Sequence, residues 1–171
     1  KLDETGDRVS RIDGCVRGTL MFVLSEVSAG KTFSAAVLDA MSRGNTEPDP
    51  RDDLSGRDAA RKGLILGRML GYRGDPVKPD DLIPRAYAAL PLKEFLDRLP
   101  ELDDAWRARV ADEARRHRVL RYVVSATPKH ATAGLVALPL SDPMATASGT
   151  RNLVTFHWRR YKREPLVISG P

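Results

Sequence analysis

The sequence predicts an α+β fold, a two-layer sandwich with helices packed on one face of a mainly antiparallel or mixed sheet. Three observations predict it. Up to residue 117 the apolar residues recur mostly at helical spacing and are punctuated by glycine stops. After His117 the chain turns to β-branched and aromatic runs separated by turn residues. Ahead of the helices, residues 8–15 (Arg-Val-Ser-Arg-Ile-Asp-Gly-Cys) alternate enough to form a short strand.

The elements follow in order. Gly18-Thr19 opens an apolar helix from Leu20 to Val27, stopped by Gly30. Thr32 is placed to N-cap a second helix over 33–43, with Gly44 as its C-terminal stop. Residues 45–54 contain Pro48, Pro50 and three aspartates and read as a stiff loop. Each proline fixes its own φ and pushes its predecessor out of the helical region. Ser55-Gly56-Arg57-Asp58 has the spacing of a capping box, and a helix should run from there to about Leu70, ended by Gly71. Residues 75–85 are rich in Pro and Asp and read as loop. Pro91 starts a short helix over 92–98. The clearest amphipathic helix spans 101–117, with Leu102, Trp106 and Val110 on one face and Ala105 and Arg109 beside them. Strands are expected over 119–126, 133–140, 153–161 and 166–168.

Composition bounds what the chain does. Its 171 residues suit a single domain, and 42% apolar with 30% charged residues is a globular balance. No apolar run approaches the roughly 18 residues needed to span a bilayer, so no membrane partner is expected. The N-terminus, Lys1-Leu2-Asp3-Glu4-Thr5, has neither an initiator Met nor signal-peptide architecture and reads as a cut inside a longer protein. The single cysteine, Cys15, excludes an intrachain disulfide, suggests a small core residue and fits a reducing, cytoplasmic location. Net charge is +5, with basic clusters at Arg107, Arg109, Arg115, Arg116, Arg118 and Arg121 and at Arg159, Arg160, Lys162 and Arg163. The first cluster is interleaved with Glu101, Asp103, Asp104, Asp112 and Glu113, the pattern of a solvated face rather than a nucleic-acid surface. His117, His130 and His157 are too scattered for a metal site and read as structural or surface residues.

The stretch from Thr46 to Lys62 concentrates chemistry. Glu47, Asp49, Asp52, Asp53 and Asp58 put five carboxylates within twelve positions, on a proline-stiffened loop that feeds a helix N-terminus. Asp58 and Lys62 lie four apart, on one face of that helix. Such a loop suits a cation or a ligand ammonium, and the lysine can protonate or stabilise a developing oxyanion. A capped helix start with one exposed ion pair accounts for the same residues. The spacing does not fit an EF-hand calcium loop.

Thr46 to Gly56, followed by Asp58 and Ala60-Arg61-Lys62, closely resembles the signature of homoserine dehydrogenases, most of all the fused aspartokinase–homoserine dehydrogenases and the fungal enzymes. Gly18-Thr19-Leu20, Phe33 to Ala40, Leu120-Arg121-Tyr122-Val123 and Pro165 to Pro171 extend the resemblance over essentially the whole chain. The resemblance implies interconversion of L-homoserine and L-aspartate 4-semialdehyde with NAD or NADP, a small-molecule substrate and a homodimer. It implies that Glu47 binds the substrate ammonium, that Asp53 and Asp58 hold its amino and hydroxyl ends, and that Lys62 transfers the proton. Gly18 and Thr19 would line the pocket near substrate and nicotinamide. Three positions depart from the family's pattern. Asn45 stands where a Tyr is usual, Arg17 where Asn or Ser is usual, and Phe22 where another Tyr is usual.

The sequence contains no Gly-x-Gly-x-x-Gly. The resemblance therefore implies a dinucleotide domain ahead of residue 1 and a return helix beyond Pro171, with residues 1–171 as the catalytic, substrate-binding and dimerisation domain. Two other readings stand beside it: a non-catalytic homodimerisation module, and a related oxidoreductase acting on another small amino-acid aldehyde.

Overall fold

A computed structural model of the chain describes residues 6–16, 18–160 and 163–170. The described residues run β1 (Val9–Cys15), α1 (Gly18–Ser28), α2 (Phe33–Ser42), α3 (Pro50–Leu54), α4 (Arg57–Met69), α5 (Arg85–Ala88), α6 (Leu92–Arg98) and α7 (Asp103–Arg115). Then come β2 (Arg118–Ala126), β3 (Ala131–Pro139), β4 (Asn152–Trp158) and β5 (Leu166–Gly170). The strands form an antiparallel sheet in the order β3-β2-β1-β4-β5. The expected α+β sandwich forms, with α1, α4 and α7 against β2 and α4 also against β3.

Alternation along β2 divides the core. Leu120, Tyr122 and Val124 face the helices and join Leu20, Phe33, Phe95 and Trp106 in the larger cluster. Val119 and Val123 face the other way, toward Cys15, Leu138, Met144 and Leu153. Cys15 is fully buried, and desolvation pushes its thiol up to about 12, so it is an inert thiol at neutral pH.

Several local signals act as the sequence suggests. Thr32 caps α2, accepting from the Ala35 N–H at 3.3 Å. Gly30, Gly44 and Gly71 take positive φ at helix ends. Asp103 adds a second cap across space, accepting from the backbone N–H and hydroxyl of Ser34 at 2.7 Å each. Trp106 of α7 stacks on Phe33 at 4.7 Å.

Other expectations are corrected. The loop 45–54 contains α3, because Asp49 caps it and Pro50 preorganises its first turn. The stretch 75–85 read as loop gives way at Arg85 to the single turn α5. The segment 101–117 starts as a 3₁₀ turn, Leu99–Leu102, before α7, and His117 ends it with φ 54°. The capping box does not form. Gly56 is the N-cap residue in a left-handed conformation, the Ser55 hydroxyl donates to the Asp52 carbonyl, and Asp58 pairs with Lys62. Arg121 does not belong to the solvated basic face. It is 5% exposed on β2 and donates to the carbonyls of Leu120 and Ala145, while burial lowers its pKa from the ordinary arginine value. Arg107, Arg115, Arg116 and Arg118 do pair with the acidic residues of that region. Arg17, Tyr161 and Lys162 lie outside the described residues.

The inner face of α4 is Ala59, Ala60, Gly63 and Gly67. A Cβ on Gly63 would come within 2.9 Å of Val124, and one on Gly67 within 3.2 Å of Ala131. At Gly56 the constraint is doubled, since φ is +66° and a Cβ would overlap the Tyr122 hydroxyl. That hydroxyl donates to the Asp80 carbonyl at 2.8 Å, which stitches the 79–83 loop to the sheet. Gly56→Ala should therefore cost about 3 kcal/mol, the sum of left-handed strain and overpacking. Urea denaturation measures it, and a loss below about 1 kcal/mol would contradict this packing.

Candidate functional site

A cleft of about 320 Å³ opens where the end of β1, the start of α1 and the start of β4 converge. Its remaining walls are the 44–47 loop and Lys62 of α4. Each wall has a local cause. Gly18 lets the chain turn from β1 into α1 hard against residue 150, since a Cβ there would lie 3.1 Å from the Thr150 carbonyl oxygen. Gly44, with φ +69°, ends α2 and redirects the chain along the cleft.

The 44–47 loop is held from below by Asp53, which is only 2% exposed. Asp53 Oδ2 accepts the backbone N–H of Glu47 at 2.8 Å, and Oδ1 lies 3.2 Å from the Thr19 hydroxyl. The same hydroxyl donates to the carbonyl of Asn45. One buried carboxylate thus ties the loop to the first turn of α1. The loop's far end is pinned by Arg51, which pairs with Asp49 at 2.6 Å, donates to the carbonyls of Ala88 and Leu90 and lies over the Phe95 ring at 5.3 Å. The guanidinium hydrogen-bonded to Asp49 holds that carboxyl below the usual range.

Lys62 approaches from α4. Its ammonium donates to the Val16 carbonyl at 2.8 Å and pairs with Asp58 at 2.9 Å. An ammonium carries three N–H groups, so a third remains for the cleft. Asp58 meets the cleft through Lys62. It stands one helical turn behind Lys62 and orients it.

The structure therefore brings Gly18, Thr19, Asn45, Glu47, Asp53 and Lys62 around one space. Glu47 is exposed and stands at the mouth. Asn45 contributes its carbonyl to Thr19 and lies half-buried on the wall. Phe22 is buried, with Arg43 over its ring at 5.4 Å. Sequence reasoning missed Val16, Gly44, Thr46, Thr150 and Asn152 as lining residues. Thr46 sits inside the motif and was legible there. Thr150 and Asn152 reach the cleft only through the pairing of β4 with β1, which no local pattern encodes. With two carboxylates and one ammonium among its described lining residues, the cleft suits a small zwitterion that also carries an oxygen function. Among the described residues no cluster of three His, Cys, Asp or Glu could hold a metal ion, and no helix is long and apolar enough to cross a membrane.

Comparison with known proteins points the same way. The sequence model of the homoserine dehydrogenase family matches residues 1–171. The chain is 38% identical over 175 residues to a chloroplastic bifunctional aspartokinase/homoserine dehydrogenase 2 of Zea mays, a match covering 98% of this chain and 19% of that protein. It is 37% identical over 186 residues to a homoserine dehydrogenase of Emericella nidulans, covering 99% of this chain and 50% of that protein. Its fold superposes on the crystal structure of a Candida auris protein of unknown function with a TM-score of 0.89 and 36% identity, covering 99% of this chain and 50% of that one. The chain thus spans between about a fifth and a half of the length of these relatives.

Asp53→Ala removes the acceptor that holds the Glu47 N–H and leaves a buried void. It should cost about 2–3 kcal/mol in denaturant unfolding. In hydrogen exchange, the Glu47 amide should lose protection in the folded state, before global unfolding. Unchanged protection there would show that Asp53 does not hold the loop.

Proposed function

This chain belongs to the homoserine dehydrogenase family, and from that premise we propose that it is the substrate-binding and catalytic part of an enzyme interconverting L-homoserine and L-aspartate 4-semialdehyde with NADP or NAD. The observation that carries the proposal is the convergence of Glu47, Asp53 and Lys62 on one cleft from three different elements.

The roles follow from charge. Glu47, at the mouth, receives the substrate ammonium. Asp53, buried beneath it, adds its negative potential and fixes the backbone from which Glu47 projects. Lys62 faces the substrate oxygen. When the aldehyde carbon is reduced its oxygen gathers negative charge, which an ammonium stabilises and then protonates. In the oxidative direction a neutral lysine removes the hydroxyl proton as hydride leaves the same carbon. Asp58 is the orienting partner of Lys62, keeping it from swinging into solvent.

The nicotinamide supplies or accepts the hydride when bound. The residues of this chain fit only that end of the cofactor. Gly18 and Thr19 expose backbone at the start of α1, whose first turn carries no acidic residue, and the polar cleft has room for a four-carbon amino acid and the edge of a ring. The dinucleotide's phosphates belong to a portion of the protein with a glycine-rich loop, which this sequence lacks.

A cytoplasmic location is part of the same proposal and fits the single buried cysteine. So does a homodimer. The sheet face turned away from the helices exposes Val136 of β3 and Val167 of β5, and the edge strand β5 also exposes Leu166 and Ile168. Sedimentation of the full-length protein should give twice the chain mass, and a monomer at micromolar concentration would remove the dimer from the proposal.

Lys62→Ala in the full-length enzyme should lower kcat by about 10²- to 10⁴-fold. Its melting temperature should barely change, because the side chain is 44% exposed and its ion pair with Asp58 contributes little to stability. Near-normal kcat in a folded variant would rule out Lys62 as the proton-transferring group.

A further inference from the structure

We propose that Asn152 is a specificity-determining residue whose carboxamide receives the α-carboxylate of the amino-acid substrate, an inference that rests on the function proposed above. Among the described residues the cleft presents acidic groups on the loop side, Glu47 and Asp53, and one ammonium, Lys62, which the reacting oxygen requires. A substrate carboxylate laid along the loop side meets like charge, so it must turn toward a wall that offers neutral donors. That wall is the entry to β4.

Strand geometry aims Asn152 at the cleft. Leu153 belongs to the smaller core cluster, with Cys15, Val123 and Leu138 of the neighbouring strands. Side chains alternate along a strand, so Asn152 projects to the opposite face, the side on which α4 carries Lys62. Register with Gly170 of β5 fixes its backbone, and the residue is half-buried on the cleft wall. A carboxamide here provides N–H donors without bringing a charge that would compete with Glu47 for the ammonium or with Lys62 for the oxygen.

The wall is also held in place from behind. The Thr150 carbonyl packs against Gly18, and the Gly149 N–H lies 3.4 Å from the Ser25 hydroxyl of α1. Upstream, buried Arg121 donates to the Ala145 carbonyl at 2.7 Å and reaches Ser28 of α1 at 3.4 Å. The segment leading into β4 is thus tied at three points to the helix whose first turn forms the neighbouring wall. A donor held this way discriminates by geometry as well as by charge.

The test uses the full-length enzyme and two ligands that differ only at the carboxylate: L-homoserine as substrate and L-homoserinamide as competitive inhibitor. Asn152→Asp places a negative charge where the substrate carboxylate should sit. The KM for homoserine should rise at least about tenfold, the span of one charge-assisted hydrogen bond, with kcat within about threefold. The inhibition constant of homoserinamide should move less than about threefold. Asn152→Ala, which removes the donor without adding charge, should raise the KM for homoserine by a smaller factor and reads the same role if the aspartate variant does not fold. Parallel weakening of both ligands, or no change in either, would overturn the inference while leaving the proposed function standing. A wild-type enzyme with no turnover of homoserine would overturn both together.

Discussion

The close approach of α4 to the sheet is the constraint on which the rest of the site depends. The helix presents Ala59, Ala60, Gly63 and Gly67 to β2 and β3, so its backbone lies almost in contact with Val124 and Ala131. Larger residues on that face would lift the helix by the width of a side chain. Lys62, adjacent to Gly63, reaches the Val16 carbonyl at the end of β1 only because the helix lies this low. The same approach makes Gly56 obligatory at its start, beneath Tyr122, and lets the 79–83 loop seal the junction through the Asp80 carbonyl. Burial of Tyr122 raises its phenol above the ordinary range, so it remains the neutral donor that this seal needs.

Around that scaffold the clustered carboxylates divide into separate tasks, and burial decides which. Asp49 caps α3 and pairs with Arg51, so it is consumed by the architecture of the loop. Asp53 is buried, and a buried carboxylate must be satisfied locally or it is destabilising. The Glu47 N–H donates to one of its oxygens and the Thr19 hydroxyl lies 3.2 Å from the other, and these contacts define the cleft floor. Asp58 remains partly exposed and directs its charge at Lys62. Of the two exposed members, Asp52 lies on α3 outside the cleft lining and Glu47 projects to the mouth, where solvent screening is greatest and where an incoming ammonium exchanges water for a carboxylate at least desolvation cost. An acidic cluster that looks uniform along the chain is therefore graded in depth.

Much of this was legible in the residues themselves. The strands announced themselves by β-branched runs, the helix ends by Gly30, Gly44 and Gly71, and the site motif by its spacing. The failures share a cause. Ser55 and Asp58 have capping-box spacing, but the box needs an N-cap in extended conformation, and the turn out of α3 forces Gly56 left-handed instead. Arg121 looked like a member of a solvated cluster because its neighbours in sequence are charged, yet strand alternation turns it inward against the 143–146 turn. The turn α3 was hidden because Pro48 and Pro50 signal a loop with equal strength whether or not Asp49 caps a helical turn between them and Leu54. In each case a contact from another segment, or a cap that spacing alone does not reveal, overrode a local preference.

Thr150 and Asn152 show the same principle at the site. Neither belongs to the motif, and both are more than eighty residues from Lys62 in the chain. They arrive because β4 pairs with β1 in a register that sets Leu153 against Cys15, one step from Val16, whose carbonyl holds Lys62. Slipping that register by one residue would send Asn152 to the opposite face and bring Leu153 to the cleft. The hydrophobic demand that Leu153 be buried with Cys15, Met144 and Ala147 therefore also fixes the polar wall of the cleft. Core packing on one side of the sheet and ligand selection on the other are consequences of a single strand register.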